Sequence, residues 1–260
     1  MGKVTSKDGT TIAFERAGSG SAVIVVGGVL GDRSQQAPLA GLLAERFTVF
    51  NYDRRGLGES GDTPPYAVER EIEDLDAIIH AAGGAAFVYG TSVCAILALE
   101  AAARGLAPKI KKLALWEPSY IVDDSRPPAP QAYKAQLAGL LSAGRRGEMV
   151  ELFMTQAAGM PVEMVAQMRN APWWSAHEAL AHTLIYNAAI VGDFSLPTAR
   201  LASITVPTLV IDGGTTPWLS HAAQAVAEAL PNAARRTLQG QPHNVAAEAI
   251  APGLIEFFDQ

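Results

Sequence analysis

Two hydrophobic rhythms run along the chain. Residues 10–16 alternate apolar and polar with period two just after Asp8-Gly9, a turn signal, so an antiparallel hairpin is expected at the N-terminal end. Thereafter continuous apolar runs appear at 22–26, 48–52, 86–89, 112–116 and 208–211. Runs without alternation belong to strands covered on both faces, as in a parallel sheet. Helical spacing fills the intervals at 38–45, 67–82, 93–104 and 220–230. Strands alternating with helices predict an α/β fold whose mostly parallel central sheet is joined by right-handed crossovers.

One stretch breaks that rhythm. Residues 127–193 show helical patterns around 131–143, 147–158, 162–170 and 175–191, with no strand pattern between them. The expected organisation is therefore a core formed by 1–126 and 194–260, with 127–193 inserted as a helical cap. Met149, Met154, Met160, Met164, Met168, Trp173 and Trp174 of this insertion either line an adaptable apolar pocket or simply pack it onto the sheet. The uncharged run 81–99 is long enough for a membrane helix, but Gly83-Gly84 and Gly90-Thr91-Ser92 divide it, so no span is expected.

Composition narrows the chemistry. The 260 residues carry a formal charge of −6, with no cationic excess to displace the counterions of a nucleic acid. A small neutral or weakly charged substrate fits better. Cys94 is the single cysteine, so no intramolecular disulfide can form and nothing demands an oxidising compartment. With a polar beginning at Met1-Gly2-Lys3 in place of an apolar leader, a cytoplasmic location is expected.

The strongest chemical motif is Gly90-Thr91-Ser92-Val93-Cys94, between the predicted strand 86–89 and the helix from 93. A serine on so sharp a turn is held in a strained backbone conformation, which requires small residues two before and two after it. Gly90 meets that demand, and Cys94 departs from the glycine of G-x-S-x-G. The placement also lets the Val93 N–H face a developing oxyanion at a helix N-terminus. Two plainer readings compete: Ser92 as an ordinary helix N-cap, and Cys94 as a thiol nucleophile, which its position inside the helix disfavours. Gly28 and Gly31, with Asp53 downstream, mimic part of a dinucleotide fingerprint, but Val26 stands where its first glycine is needed.

Taken together, the chain resembles the α/β-hydrolase superfamily along nearly its whole length. Asp53-Arg54-Arg55-Gly56-Leu57-Gly58-Glu59-Ser60 looks like that family's D-x-R-G-x-G-x-S loop, followed by the serine turn, the insertion and a late His243. The resemblance implies that Val29, in Gly27-Gly28-Val29, and Val93 supply the two oxyanion amides. It also implies that His243, in a loop before the last helix, is the general base for Ser92. His80, His177, His182 and His221 fall inside predicted helices.

The acid is where the chain departs from the family, which usually carries an aspartate in a turn that here reads Gly213-Gly214-Thr215-Thr216-Pro217. Thr216 cannot bear the charge that steadies an imidazolium. Glu117, at the end of strand 112–116 where some superfamily members place their acid, is favoured over Asp212; both also admit purely structural roles. The implied activity is hydrolysis of a small carboxylic ester or related acyl compound through an acyl-enzyme, with no cofactor or metal. Epoxide or haloalkane opening would need a carboxylate in place of Ser92. The alternative class is a non-hydrolytic member, either a ligand receptor or a cofactor-free lyase or cyclase.

Overall fold

The computed structural model describes residues 1–128 and 130–260; residue 129, within the predicted insertion, lies outside the described residues. Among the described residues, eight strands form one sheet: β1 (Gly2–Thr5), β2 (Thr11–Ala17), β3 (Ala22–Val26), β4 (Thr48–Tyr52), β5 (Ala86–Thr91), β6 (Ile110–Trp116), β7 (Thr208–Gly214) and β8 (Ala233–Gln241). Their spatial order is β1-β2-β4-β3-β5-β6-β7-β8. The β1–β2 and β2–β4 pairs are antiparallel and every later pair is parallel. The expected hairpin and parallel sheet are both present. Asp8 shapes the hairpin turn by accepting the Thr10 N–H at 3.0 Å.

Helices α1 (Ala37–Leu43), α2 (Val68–Ala81) and α3 (Val93–Ala101) connect β3 to β4, β4 to β5 and β5 to β6 in turn. Between β6 and β7 come α4 (Tyr133–Ser142), α5 (Arg146–Leu152), α6 (Val162–Met168), α7 (Trp174–Leu180), α8 (Leu184–Val191) and α9 (Thr198–Leu201). The chain closes with α10 (Pro217–Ala229) and α11 (Ala247–Asp259). Helical stretch 175–191 is broken: a short 3₁₀ turn at Ala181–Thr183 separates α7 from α8. Stretch 93–104 ends at a kink where Arg104 and Gly105 leave the helical backbone, Gly105 with φ 117°, and stretch 147–158 ends in a π-helical turn at Phe153–Ala157.

The pleat sends alternate strand residues to opposite faces. On one face Ile24 and Val26 join α2, α3, α10 and the inserted helices in a single apolar cluster. On the other, Val23 and Val25 meet α1 and α11. Every residue of α3 is buried, because it is roofed by sheet on one side and by α8 on the other. That explains why its sequence is apolar all round.

β8 is the strand that the apolar pattern did not announce. Its sequence Ala233-Ala234-Arg235-Arg236-Thr237-Leu238-Gln239-Gly240-Gln241 is largely polar and partly exposed. It is an edge strand, paired among the described residues only with β7, and charge on an edge strand discourages pairing with other chains. No helix among the described residues is long and apolar enough to cross a membrane.

Candidate active site

Ser92 lies between the end of β5 and the start of α3 with φ 56° and ψ −123°, outside the regions an ordinary side chain favours. Its N–H is held by Trp116 O at 2.8 Å, and its carbonyl accepts from Ala95 N at 3.0 Å. The side chain makes no capping hydrogen bond, so its hydroxyl stays available for other partners. A Cβ on Gly90 would sit 2.7 Å from Cys94 O and 2.9 Å from Ala95 Cα, which is why strand and helix can meet so tightly only with glycine there. Cys94 is fully buried, its sulfur 4.0 Å from Gly28 O. Burial pushes the thiol pKa up, so it is not a thiolate.

His243 follows β8 in the loop that leads to α11. Its Nδ1 is 2.6 Å from Glu117 Oε2. Glu117 is fully buried, just past β6, with φ 43°. The strained backbone is fixed from both sides: Glu117 N donates to Ile211 O at 2.9 Å, and Glu117 Oε1 accepts the Gly213 N–H at 2.9 Å. The loop itself is anchored by Trp116 Nε1, which donates to His243 O at 2.8 Å.

The other carboxylate considered for this role is occupied elsewhere. Asp212 accepts hydrogen bonds from Ser220 Oγ at 2.9 Å, Arg235 Nε at 2.9 Å and Thr237 Oγ1 at 3.1 Å, so it ties β7 to β8 and α10. Thr216 lies beside the cavity at the N-cap of α10.

Ser92, His243, Val29 and Val93 all line one cavity of about 780 Å³. Val93 holds the first helical position, whose N–H has no partner within the helix. Val29 N–H has no acceptor among the described residues. Among the described residues both amides thus lack an acceptor, and both residues line the cavity that Ser92 lines.

A sequence profile of the alpha/beta hydrolase family matches residues 22–251. The chain belongs to the alpha/beta hydrolase family. An alpha/beta hydrolase from Sphaerobacter thermophilus DSM 20745 is 59% identical over 99% of this chain and 100% of its own, with a TM-score of 0.93. A thermophilic esterase from Thermogutta terrifontis, solved with malate bound, shares 21% identity over 99% and 97% of the two chains at TM-score 0.74. The enol-lactonase from Burkholderia xenovorans LB400 shares 22% identity over the full length of both at TM-score 0.72. These last two share the fold with this alpha/beta hydrolase.

In this alpha/beta hydrolase, Asp53 and Arg55 hold the D-x-R-G-x-G-x-S loop to its neighbours. Buried Asp53 accepts the N–H groups of Arg33 at 2.7 Å and Glu59 at 2.9 Å. Arg55 forms a bidentate pair with Asp74, both bonds 2.7 Å, and reaches Asp8 at 2.9 Å. This binds the hairpin to the loop and to α2.

Several cavity residues lay outside the sequence-based expectation. Of the seven Met and Trp side chains considered, Met154 and Met160 line the cavity. Met149, Met168 and Trp174 pack within the apolar cluster, and Met164 and Trp173 are exposed. The cavity instead gains Tyr133, Phe153, Phe194 and Trp218, the last with the Arg126 guanidinium 4.6 Å above its ring. Ser119 also went unnoticed: its Oγ is 2.9 Å from Ser92 Oγ. Its position two residues after Glu117, past the strand end, was the only available signal. No group of three or more His, Cys, Asp or Glu suited to a metal ion occurs among the described residues.

Proposed function

We propose that the protein is a serine hydrolase acting on a small carboxylic ester or related acyl compound through an acyl-enzyme. The observation that carries this reading is the Glu117–His243 contact of 2.6 Å at the rim of the cavity that Ser92 enters from its strained turn. A buried carboxylate on Nδ1 holds that nitrogen's proton and leaves Nε2 as the base.

In this scheme Ser92 Oγ rotates from Ser119 toward His243 and attacks the scissile carbonyl while Nε2 takes its proton. The new Oγ–C bond leaves a tetrahedral oxyanion, met by the Val29 and Val93 N–H groups. Collapse expels the alcohol, which receives the proton from His243. Water, activated by the same imidazole, then hydrolyses the acyl-enzyme and restores Ser92. The helices of 127–193 act as a cap that covers the acyl and alcohol subsites, over a core of 1–126 and 194–260.

Glu117 brings a carboxylate to His243 although the Gly213–Pro217 turn has none, which weighs against the non-hydrolytic alternative. The test is labelling with a fluorophosphonate probe alongside turnover of p-nitrophenyl esters. Labelling and turnover that both vanish in Ser92→Ala support the hydrolase; a folded wild-type protein that does neither is a receptor, lyase or cyclase instead.

A further inference from the structure

A buried guanidinium reaches the cavity wall from behind. Arg54 is 3% exposed, and its Nε and Nη2 each donate to Glu71 at 2.6 Å. Burial works against its charge, but Glu71 outweighs that and keeps the pKa above the usual arginine range. The remaining nitrogen, Nη1, donates to Gly28 O at 3.0 Å and to Asn187 Oδ1 at 2.9 Å.

Both contacts fix a donor. Gly28 O and the Val29 N–H are opposite ends of one trans peptide, so a cation on the carbonyl aims and polarises the amide proposed for the oxyanion. Asn187, on α8, is 4% exposed and lines the cavity. Arginine has no acceptor, so the amide oxygen must face Arg54 and Nδ2 must face away from it. Nδ2 is buried and has no hydrogen-bond partner among the described residues. A buried donor left without an acceptor is costly, so this one calls for an acceptor that the protein itself does not supply.

We propose that Asn187 is a specificity-determining residue whose Nδ2 binds a second, uncharged acceptor oxygen of the substrate (keto, ether or hydroxyl) beside the scissile carbonyl. This rests on the hydrolase reading above. The acceptor is uncharged because Glu71 neutralises Arg54 and no Arg or Lys side chain lines the cavity among the described residues.

The test compares matched p-nitrophenyl esters, 4-oxopentanoate against 4-methylpentanoate and 3-methoxypropanoate against pentanoate, each rate divided by its hydroxide-catalysed rate. The wild type is expected to favour at least one oxygenated ester about tenfold or more in kcat/KM. That ratio falls to within about twofold of one in Asn187→Leu. It falls likewise in Asn187→Asp, which keeps an oxygen for Arg54 and loses the donor. Reading a ratio within each protein cancels any general loss of activity. A wild-type ratio near one for both pairs, or a preference surviving in both variants, overturns the proposal. Calorimetric binding of the same esters to Ser92→Ala reads the ratio without turnover, whereas fluorophosphonate labelling of the wild type reads the hydrolase assignment separately.

Discussion

Glu117 divides its two oxygens between His243 Nδ1, at 2.6 Å, and the Gly213 N–H, at 2.9 Å. The division makes Glu117→Gln an informative substitution. Gly213 demands an acceptor, so the glutamine oxygen faces Gly213 and its NH₂ faces His243. The imidazole must then accept at Nδ1 and carry its proton on Nε2, the wrong tautomer for a base. The expected fall in kcat is about 10²- to 10⁴-fold with little loss of fold. Ester kinetics with circular dichroism check it; a fall under about threefold would remove Glu117 from the reaction.

Asp212→Asn should separate the two carboxylates. Asp212 is fully buried and holds Ser220, Thr237 and Arg235, so the expected loss is in stability, about 1–3 kcal/mol. Urea midpoints read this directly. A fall in kcat as large as that of Glu117→Gln would reverse the assignment.

Much of this site was legible in the sequence because its parts obey local rules. Gly90 and Ser92 mark a turn that only a small residue permits, and the strands β3 to β7 are apolar because both faces are covered. What escaped depends on three-dimensional neighbours. β8 is polar because it is an edge. Ser119 and Asn187 come from segments far apart in sequence; only the nearness of Glu117 marks Ser119, and nothing in its immediate surroundings marks Asn187. Arg54 reads as part of a charged loop, and its burial against Glu71 appears only once α2 is in place. Of the methionines and tryptophans of the insertion, helical spacing could not tell which face looks inward, because they are spread over α5, α6, the start of α7 and the turns between, each with its own phase.

Gly90→Ala tests the tight crossing beneath Ser92. The added methyl meets Cys94 O at 2.7 Å and Ala95 Cα at 2.9 Å, backbone atoms that cannot swing aside. We expect a loss of about 1–3 kcal/mol, together with slower fluorophosphonate labelling as Ser92 shifts. Thermal unfolding unchanged from wild type would mean that α3 can retreat without cost.

Cys94 should resist alkylation in the folded protein. It is fully buried beside Gly28 and Arg54, and desolvation raises its thiol pKa above the ordinary value, whereas the reactive species is the thiolate. Iodoacetamide at pH 8 should leave it unmodified until denaturant is added. Rapid stoichiometric labelling of the native protein, with loss of esterase activity, would reopen the thiol as nucleophile.

Asp8 and Asp74 share the guanidinium of Arg55 but respond to it differently. Burial dominates at Asp74 and raises its pKa. At Asp8 burial also acts to raise the pKa, yet hydrogen bonds from Arg55 and Thr10 outweigh it and hold the group well below the usual carboxylate range. A group whose folded pKa is depressed contributes stability above its unfolded pKa and loses it as pH falls through the folded one. Asp8→Asn should therefore be less stable than wild type near neutrality. The gap should persist down to about pH 4, the ordinary range for aspartate, and close progressively below it as the wild-type carboxylate is protonated. Urea midpoints at pH 7, 5 and 3 measure this. A gap that stays constant across the three would show that the amide variant loses packing rather than charge, and that the hairpin is not tied to Arg55 electrostatically.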